Sequence, residues 1–175
     1  QARSGVVLTK QELKRLYRRS DAKGLIYFGG WLALTSAAGF LYYLSLPTYW
    51  MVPTLMLYGT LLALGYAMSH ETTHGTAFRT RWLNESVFWF TSLIYGHEPY
   101  HRRFSHASHH THTEIRGVDA QKPWNHPMTL WDYVRKFSGI GEVIGFPRII
   151  LPHAVGHIPA RVKVYTPESE RSNLI

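Results

Sequence analysis

Two long apolar runs follow one another near the start of the chain, and they determine the predicted architecture. The first extends from Gly24 to Leu46 and the second from Tyr49 to Met68, and neither contains Asp, Glu, Lys or Arg. A helix of either length can cross the roughly 30 Å hydrocarbon core of a bilayer. Only Pro47 and Thr48 separate the runs. The pattern therefore predicts a transmembrane hairpin with spans at 24–46 and 49–69, and two buried helices of a soluble core are the alternative.

The remaining apolar stretches are too short or too interrupted to cross a membrane. Residues 87–96 form a brief apolar run, and residues 139–160 carry Glu142, Arg148 and internal prolines. Trp131 and Tyr133 suit the headgroup level of a bilayer. We therefore expect an all-α integral membrane protein with a histidine-rich region at 70–112 and interfacial helices within 113–175, ending in a polar loop from Arg161.

The charge pattern orients the hairpin. The net charge is +8, seven Lys or Arg precede the first span, and Arg79 and Arg81 follow the second. By the positive-inside rule, both outer ends of the hairpin face the cytoplasm. Residues 1–23 are expected to lie as a basic interfacial segment on anionic lipid. They lack the interleaved basic and aromatic residues typical of nucleic-acid binding, so no nucleic-acid partner is expected.

The amino-acid composition restricts the chemistry of any metal site. The chain contains 11 His and no Cys, which excludes disulfides and thiolate ligands. Imidazole and oxygen ligands remain, and these suit iron, zinc, copper or nickel.

Five histidines fall into two sets with helical spacing. His70 and His74 are separated by four residues, which places both imidazoles on one helical face. The second set, with spacings of three and four, also shares one face. If the two helices pack together, all five can converge on metal. The predicted ligands are His70, His74, His106, His109 and His110.

The other histidines are interpreted more conservatively. His101 and His112 fall off the face of the second set, so we assign them at most a supporting role beside the ligands. The remaining four are expected to be ordinary polar residues, because an isolated histidine at a membrane boundary is rarely a ligand; they are His97, His126, His153 and His157.

Residues 70–74 also match the zinc-protease pattern H-E-x-x-H, in which Glu71 would be the general base. Glu98 is then a candidate for the third zinc ligand. This hypothesis of an intramembrane zinc protease leaves the three histidines of the second set unexplained. A non-enzymatic, histidine-rich membrane protein that binds metal is a further alternative.

The two sets together resemble the first two histidine boxes of the membrane-bound fatty acid desaturase and hydroxylase superfamily. The stretches "HETTHGTAFRTRWLNE" and "PYHRRFSHASHHTHT" are especially similar to bacterial members. The resemblance implies that the five predicted ligands hold two iron ions on the cytoplasmic side. A third box of the H-x-x-H-H type is absent from this chain, and we expect a further part of the protein to supply it.

The resemblance further implies an O2-dependent oxidation of an unactivated CH2 group in a fatty acyl or other lipid chain, by desaturation or by hydroxylation. Both reactions use the same boxes. Electrons would come from a separate carrier of the ferredoxin, rubredoxin or cytochrome type, since no flavin, haem or iron–sulfur motif is visible. Arginines near the boxes are candidates for its docking surface or for lipid-facing charge; they are Arg79, Arg81, Arg102 and Arg103. The implied location is a bacterial inner membrane.

Overall fold

The computed structural model describes residues 8–115, 117–121 and 127–175, and the regular secondary structure within them is helical throughout. This confirms the all-α prediction. Residues 1–7, 116 and 122–126 belong to the predicted basic segment and interfacial region, and they lie outside the described residues. The chain divides into two compact units, Gln1–Val87 and Phe88–Ile175. The helices are α1 Lys10–Leu16, α2 Asp21–Ser45, α3 Met51–Leu64, α4 Tyr66–Thr73, α5 Arg81–Ile94, α6 Pro99–Thr111, α7 Leu130–Phe137, α8 Ile140–Ala154 and α9 Ala160–Tyr165, followed by a 3₁₀ helix at Glu168–Leu174.

The first unit contains the predicted hairpin, in which α2 packs against α3. Trp31 donates its indole N–H to the carbonyl oxygen of Leu61 at 2.8 Å, and the hydroxyl groups of Ser45 and Thr54 bond to each other near the tip. These contacts satisfy polar groups inside the helix pair, as a lipid environment requires. Two helical stretches, Lys10–Ser45 and Met51–Thr73, are long and apolar enough to cross a membrane.

The outer surface of the hairpin is apolar and exposed. Large side chains on α2 and α3 point away from the protein, among them Ile26, Leu34, Phe40 and Met56. Helices buried in a soluble core would cover such side chains, whereas helices in a bilayer present them to lipid. The exposed side chains therefore favour the transmembrane interpretation over the soluble alternative.

The second predicted span is divided at Gly65, where α3 ends and α4 begins. A Cβ atom on Gly65 would lie only 2.2 Å from Cε2 of Trp31. The indole thus occupies the space that any larger residue would need at this position. The helix α4 continues beyond the predicted limit of residue 69. The first histidine set therefore lies at the end of the helical stretch Met51–Thr73.

The two outer ends of the hairpin are tied together, as its predicted topology requires. Arg19 donates to the carbonyl oxygen of Gly75 at 2.7 Å, and Asp21 accepts from the backbone N–H and the hydroxyl of Thr80 at 2.8 and 2.7 Å. A small core lies beside these contacts and is built around Met68, Phe78 and Val87. The loop that follows the first histidine set is therefore fixed to the start of α2.

In the second unit, α6 packs against α9 and the 3₁₀ helix, and α7 packs against α8. The prediction of a loop from Arg161 to Ile175 is wrong, because α9 and the 3₁₀ helix occupy most of this segment. Val162 and Leu174 are buried there. Only these two apolar residues are buried in the segment. Two buried positions in a polar sequence do not produce the periodic apolar pattern from which a helix is predicted.

Candidate metal centre

The first histidine set lies at the end of α4. His70 is in the last turn of this helix and His74 is its C-terminal capping residue. The two imidazole rings are 4.8 Å apart between centroids and meet edge to face. One ring nitrogen of each lies within 4.8 Å of the other, which is close enough for both to bind the same metal centre.

The opposite face of α4 explains why these imidazoles point outward. Met68, Ser69, Thr72 and Thr73 are all buried. The hydroxyl of Thr72 donates to the carbonyl oxygen of Met68 at 2.8 Å, and that of Thr73 donates to Ser69 at 2.7 Å. These local bonds satisfy the two buried threonine hydroxyls within the helix. His70, Glu71 and His74 therefore face away from this small core.

Glu71 has a structural partner in the following turn. Its carboxylate accepts a hydrogen bond from the hydroxyl of Thr76 at 2.8 Å, and its other oxygen lies 3.5 Å from Nδ1 of His70. The same threonine hydroxyl also donates to the backbone carbonyl oxygen of Glu71. This arrangement closes the turn after α4, which is a role for Glu71 that does not require it to be a general base.

The second histidine set lies on α6, whose N-terminus is capped by Glu98. The Glu98 carboxylate accepts from the backbone N–H groups of Tyr100 and His101. A carboxylate used in this way stabilises the start of the helix. Glu98 therefore has a capping role that the zinc-protease hypothesis did not anticipate when it took this residue as a third ligand.

His106 and His110 are adjacent on α6 and approach each other through their ring nitrogens. Their Nε2 atoms are 3.1 Å apart, and the rings are perpendicular. Two nitrogens bound at right angles to one ion, each at ~2.1 Å, would be separated by about 3.0 Å. His106 is buried, whereas His110 is exposed. The observed separation fits a pair of ligands to a first-row transition metal such as iron.

The partner of His106 indicates which ring nitrogen is available. Nδ1 of His106 lies 3.1 Å from Oε1 of Gln121. Since an amide oxygen only accepts, Nδ1 of the neutral imidazole carries the proton and Nε2 carries the lone pair. The hydrogen bond to Gln121 thus leaves the lone pair of Nε2 facing His110.

His109 has a stronger partner in Asp119. Its Nδ1 atom lies 2.8 and 2.9 Å from the two carboxylate oxygens. The Asp119 side chain is almost completely buried, with 1% of its surface exposed, whereas that of His109 is 20% exposed. By the same argument, Nδ1 of His109 donates to the carboxylate, and Nε2 is left with the lone pair.

Asp119 and Gln121 were not identified from the sequence. Both follow α6 in a loop, and their contacts with the histidines span 10 and 15 residues of sequence. The sequence did contain one signal for Asp119. It is an acidic residue that follows a histidine cluster closely, and the chain has only 11 acidic residues. Ligating histidines commonly donate their second ring nitrogen to a carboxylate or an amide oxygen, and that rule would have pointed to this loop.

The two histidines that we considered for a supporting role bond to groups outside the two histidine sets. Nε2 of His101 lies 2.8 Å from Oη of Tyr165, and Nδ1 of His112 donates to the carbonyl oxygen of Ser108 at 3.1 Å. Burial lowers the pKa of His101 to about 4, with further contributions from nearby positive groups, so its imidazole is neutral at pH 7. His101 therefore joins α6 to α9, and His112 caps the C-terminus of α6.

The histidines that we interpreted as ordinary polar residues are placed as follows. His153 is buried in α8 and His157 is exposed after it, while His126 lies outside the described residues. Burial lowers the pKa of His97 to about 4 and also lowers the pKa of His153. Both are therefore neutral at pH 7.

The proposed arginine docking surface needs one correction. Arg102 is buried in α6, with 7% of its surface exposed, so it is not available to a docking protein. Arg79 and Arg81 are exposed, and Arg103 lies over the ring of Phe88 at 4.8 Å.

Comparison with known proteins identifies the family. Residues 47–172 match the model of the fatty acid desaturase family. Over 93 residues the chain is 36% identical to the sn-1 oleoyl-lipid 12-desaturase of Synechocystis sp., and the aligned stretch covers 51% of this chain and 26% of that relative. No solved structure matches the chain. Because the family match covers most of its residues, including both histidine sets, the chain belongs to the fatty acid desaturase family.

Proposed function

We propose that this protein is a membrane enzyme that uses O2 and two iron ions to oxidise an unactivated CH2 group in a fatty acyl chain of a lipid. Family membership carries the proposal. The Synechocystis relative, which is named as a lipid desaturase, supports desaturation as the reaction. Hydroxylation is the alternative that product analysis distinguishes.

The five histidines are the proposed ligands from this chain. Their ring nitrogens bind metal in the neutral form, and imidazole lacks the sensitivity of a thiolate to oxidation. Iron, when bound, supplies the ability to activate O2 for breaking a strong C–H bond. The protein's own contribution is to hold the imidazoles in place and to select the nitrogen that each presents. Asp119 and Gln121 make that selection for His109 and His106.

The substrate class follows from where the first ligand set lies. His70 and His74 stand at the end of the helical stretch Met51–Thr73, which is apolar enough to cross a membrane. Ligands at this boundary are within reach of a chain that lies in the bilayer. An acyl chain has no polar group near its middle, so its position must be set by packing and by the depth of the headgroup.

The orientation and the electron donor belong to the same proposal. The basic residues outside the hairpin favour a cytoplasmic position for the metal centre in a bacterial inner membrane. We propose an external carrier of the ferredoxin, rubredoxin or cytochrome type. Arg79, Arg81 and Arg103 are the candidate contacts, since the burial of Arg102 removes it from this surface.

Metal and product analysis of the full-length protein tests the proposal. We expect two irons per chain and, with a reduced carrier, O2 and lipid, a product with one additional C=C bond. One zinc ion per chain together with peptide cleavage would overturn it in favour of a protease. Iron with an oxygenated lipid product would retain the metal centre and replace desaturation by hydroxylation.

A further inference from the structure

We propose that Asp119 is a positioning residue that holds His109 in its metal-binding tautomer, and that Gln121 has the same role, more weakly, for His106. The inference rests on the proposed function, because it assumes that both histidines bind metal. It adds two residues to the centre that neither histidine box contains.

The loop after α6 is built to hold the Asp119 carboxylate in place. One oxygen accepts from the backbone N–H of Glu114 at 3.0 Å, and the other accepts from that of Gln121 at 2.9 Å. Both also lie within hydrogen-bonding distance of His109. These donors stabilise the buried ionised carboxylate, which would otherwise be costly. The backbone of the loop itself therefore holds the Asp119 carboxylate in place.

The backbone conformation of the loop turns the chain back toward α6 after that helix ends. Glu114 and Gly117 adopt positive φ values of 65° and 76°, which reverse the chain soon after α6 ends. The N–H of Asp119 then donates to the carbonyl oxygen of Ile115 at 2.9 Å. This turn brings Asp119 and Gln121 back alongside the histidines of α6.

A second anchor comes from α9. Arg161 donates to the carbonyl oxygen of Ala120 at 3.2 Å, between the two positioning residues. This contact lies at the surface, so we expect it to contribute less than the buried bonds of Asp119.

The two positioning residues differ in charge, and the difference predicts an order of effects. A carboxylate stabilises the Nδ1–H tautomer more strongly than a neutral amide oxygen, and it increases the electron density that Nε2 donates. Loss of Asp119 should therefore weaken metal binding more than loss of Gln121. Changes to such partners typically reduce metal affinity by about 10–100-fold.

The test is metal affinity, measured on the full-length protein with Fe(II) or Co(II) alone and without lipid. We expect Asp119→Asn to bind about 10–100-fold more weakly, and Gln121→Leu to show a smaller loss. Asp132→Asn is the matched control, since Asp132 caps α7 through Thr129 and contacts no histidine of α6 in the described residues. Unchanged affinity in Asp119→Asn would overturn the inference.

A double variant separates positioning from general destabilisation. If Asp119 acts through His109, adding Asp119→Asn to His109→Ala should cause little further loss of metal affinity. Fully additive losses would overturn the inference. If the unaltered protein binds no iron, the proposed function fails first. If it binds iron and Asp119→Asn does so equally well, only the positioning role fails.

Nitrogen NMR of the metal-free protein provides a measurement that does not depend on activity. In the unaltered protein, the ¹⁵N shifts of His109 should report a proton on Nδ1. In Asp119→Asn they should move toward the other tautomer or toward a mixture, while the shifts of His101 remain unchanged. A retained Nδ1–H signal in a folded Asp119→Asn protein would contradict the proposal. Asp119→Glu offers a variant that keeps the charge if the amide impairs folding.

Discussion

Tyr165 and His101 form a hydrogen bond that joins α9 to α6 across 64 residues of sequence. Burial raises the pKa of Tyr165 to about 12 and lowers the pKa of His101 to about 4. Both groups are therefore neutral at pH 7, and the phenol and Nε2 of the imidazole share one hydrogen bond. The bond fixes the helix that carries the second histidine set against the C-terminal part of the chain.

Acidification should weaken the second unit. The pKa of His101 is about 4 in the folded protein and near its ordinary value of 6.5 when unfolded, so the unfolded chain binds more protons between these values. Stability is therefore complete above pH 6.5 and declines as the pH falls toward 4. Thermal unfolding in detergent between pH 7.5 and pH 5 measures the effect. Groups that act on His101 are His97, Arg102, His153, Arg161 and Tyr165.

The contribution of His101 to this acid sensitivity can be isolated with His101→Gln, which removes the titrating ring. This variant should show a smaller decrease in melting temperature between pH 7.5 and pH 5 than the unaltered protein. His157→Gln is the matched control, because His157 is exposed. An identical pH dependence in His101→Gln would show that other groups control the acid response.

Removing the Tyr165 hydroxyl should destabilise the protein at neutral pH. Tyr165→Phe preserves the ring and leaves Nε2 of His101 without this partner, at an expected cost of ~1 kcal/mol in the free energy of unfolding. Tyr133→Phe on the exposed surface of α7 is the control and should change stability little. Chemical denaturation of both variants at pH 7.5 provides the comparison. Equal stability of Tyr165→Phe and the unaltered protein would mean that the bond contributes nothing.

Glu71 and His70 should differ sharply in their effect on metal content. His70→Ala removes a proposed ligand, and we expect it to lose bound iron and nearly all activity. Glu71→Gln retains a group that can accept the bond from Thr76, so it should keep its iron and most of its activity. Iron analysis with a parallel activity assay distinguishes the two. Retained iron with abolished activity in Glu71→Gln would restore the glutamate to a direct role in the chemistry.

The α7 helix should lie at the lipid headgroup level with one face in the hydrocarbon. Leu130, Trp131, Val134 and Phe137 are exposed on that face, while Arg135 and Lys136 flank the opposite side. Such a helix binds in the plane of the interface. The chain has no Cys, so a nitroxide attached to Phe137→Cys is unique. Its collisions with oxygen, which concentrates in lipid, should exceed those of a label at Lys136→Cys; equal values would contradict the placement.

The sequence was sufficient to predict the hairpin and the two histidine sets, because both depend on periodic features of a single helix. The spacing of His106, His109 and His110 predicts a shared face wherever the helix packs. Asp119 could not be assigned in the same way, since its contact with His109 depends on a chain reversal at Glu114 and Gly117. Such a reversal has no periodic pattern, and a positive φ at Glu114 is unusual for a residue other than glycine.

The close approach of Gly65 to Trp31 links the packing of the hairpin to the orientation of the first histidine set. Gly65 marks the start of α4, and each residue added to a helix turns it by about 100°. A change in the twist of the chain at this contact would therefore rotate the whole of α4 and alter the direction in which His70 and His74 point. The direction of the first histidine pair is set by a contact between an indole and a glycine that lies five residues before His70 along the chain.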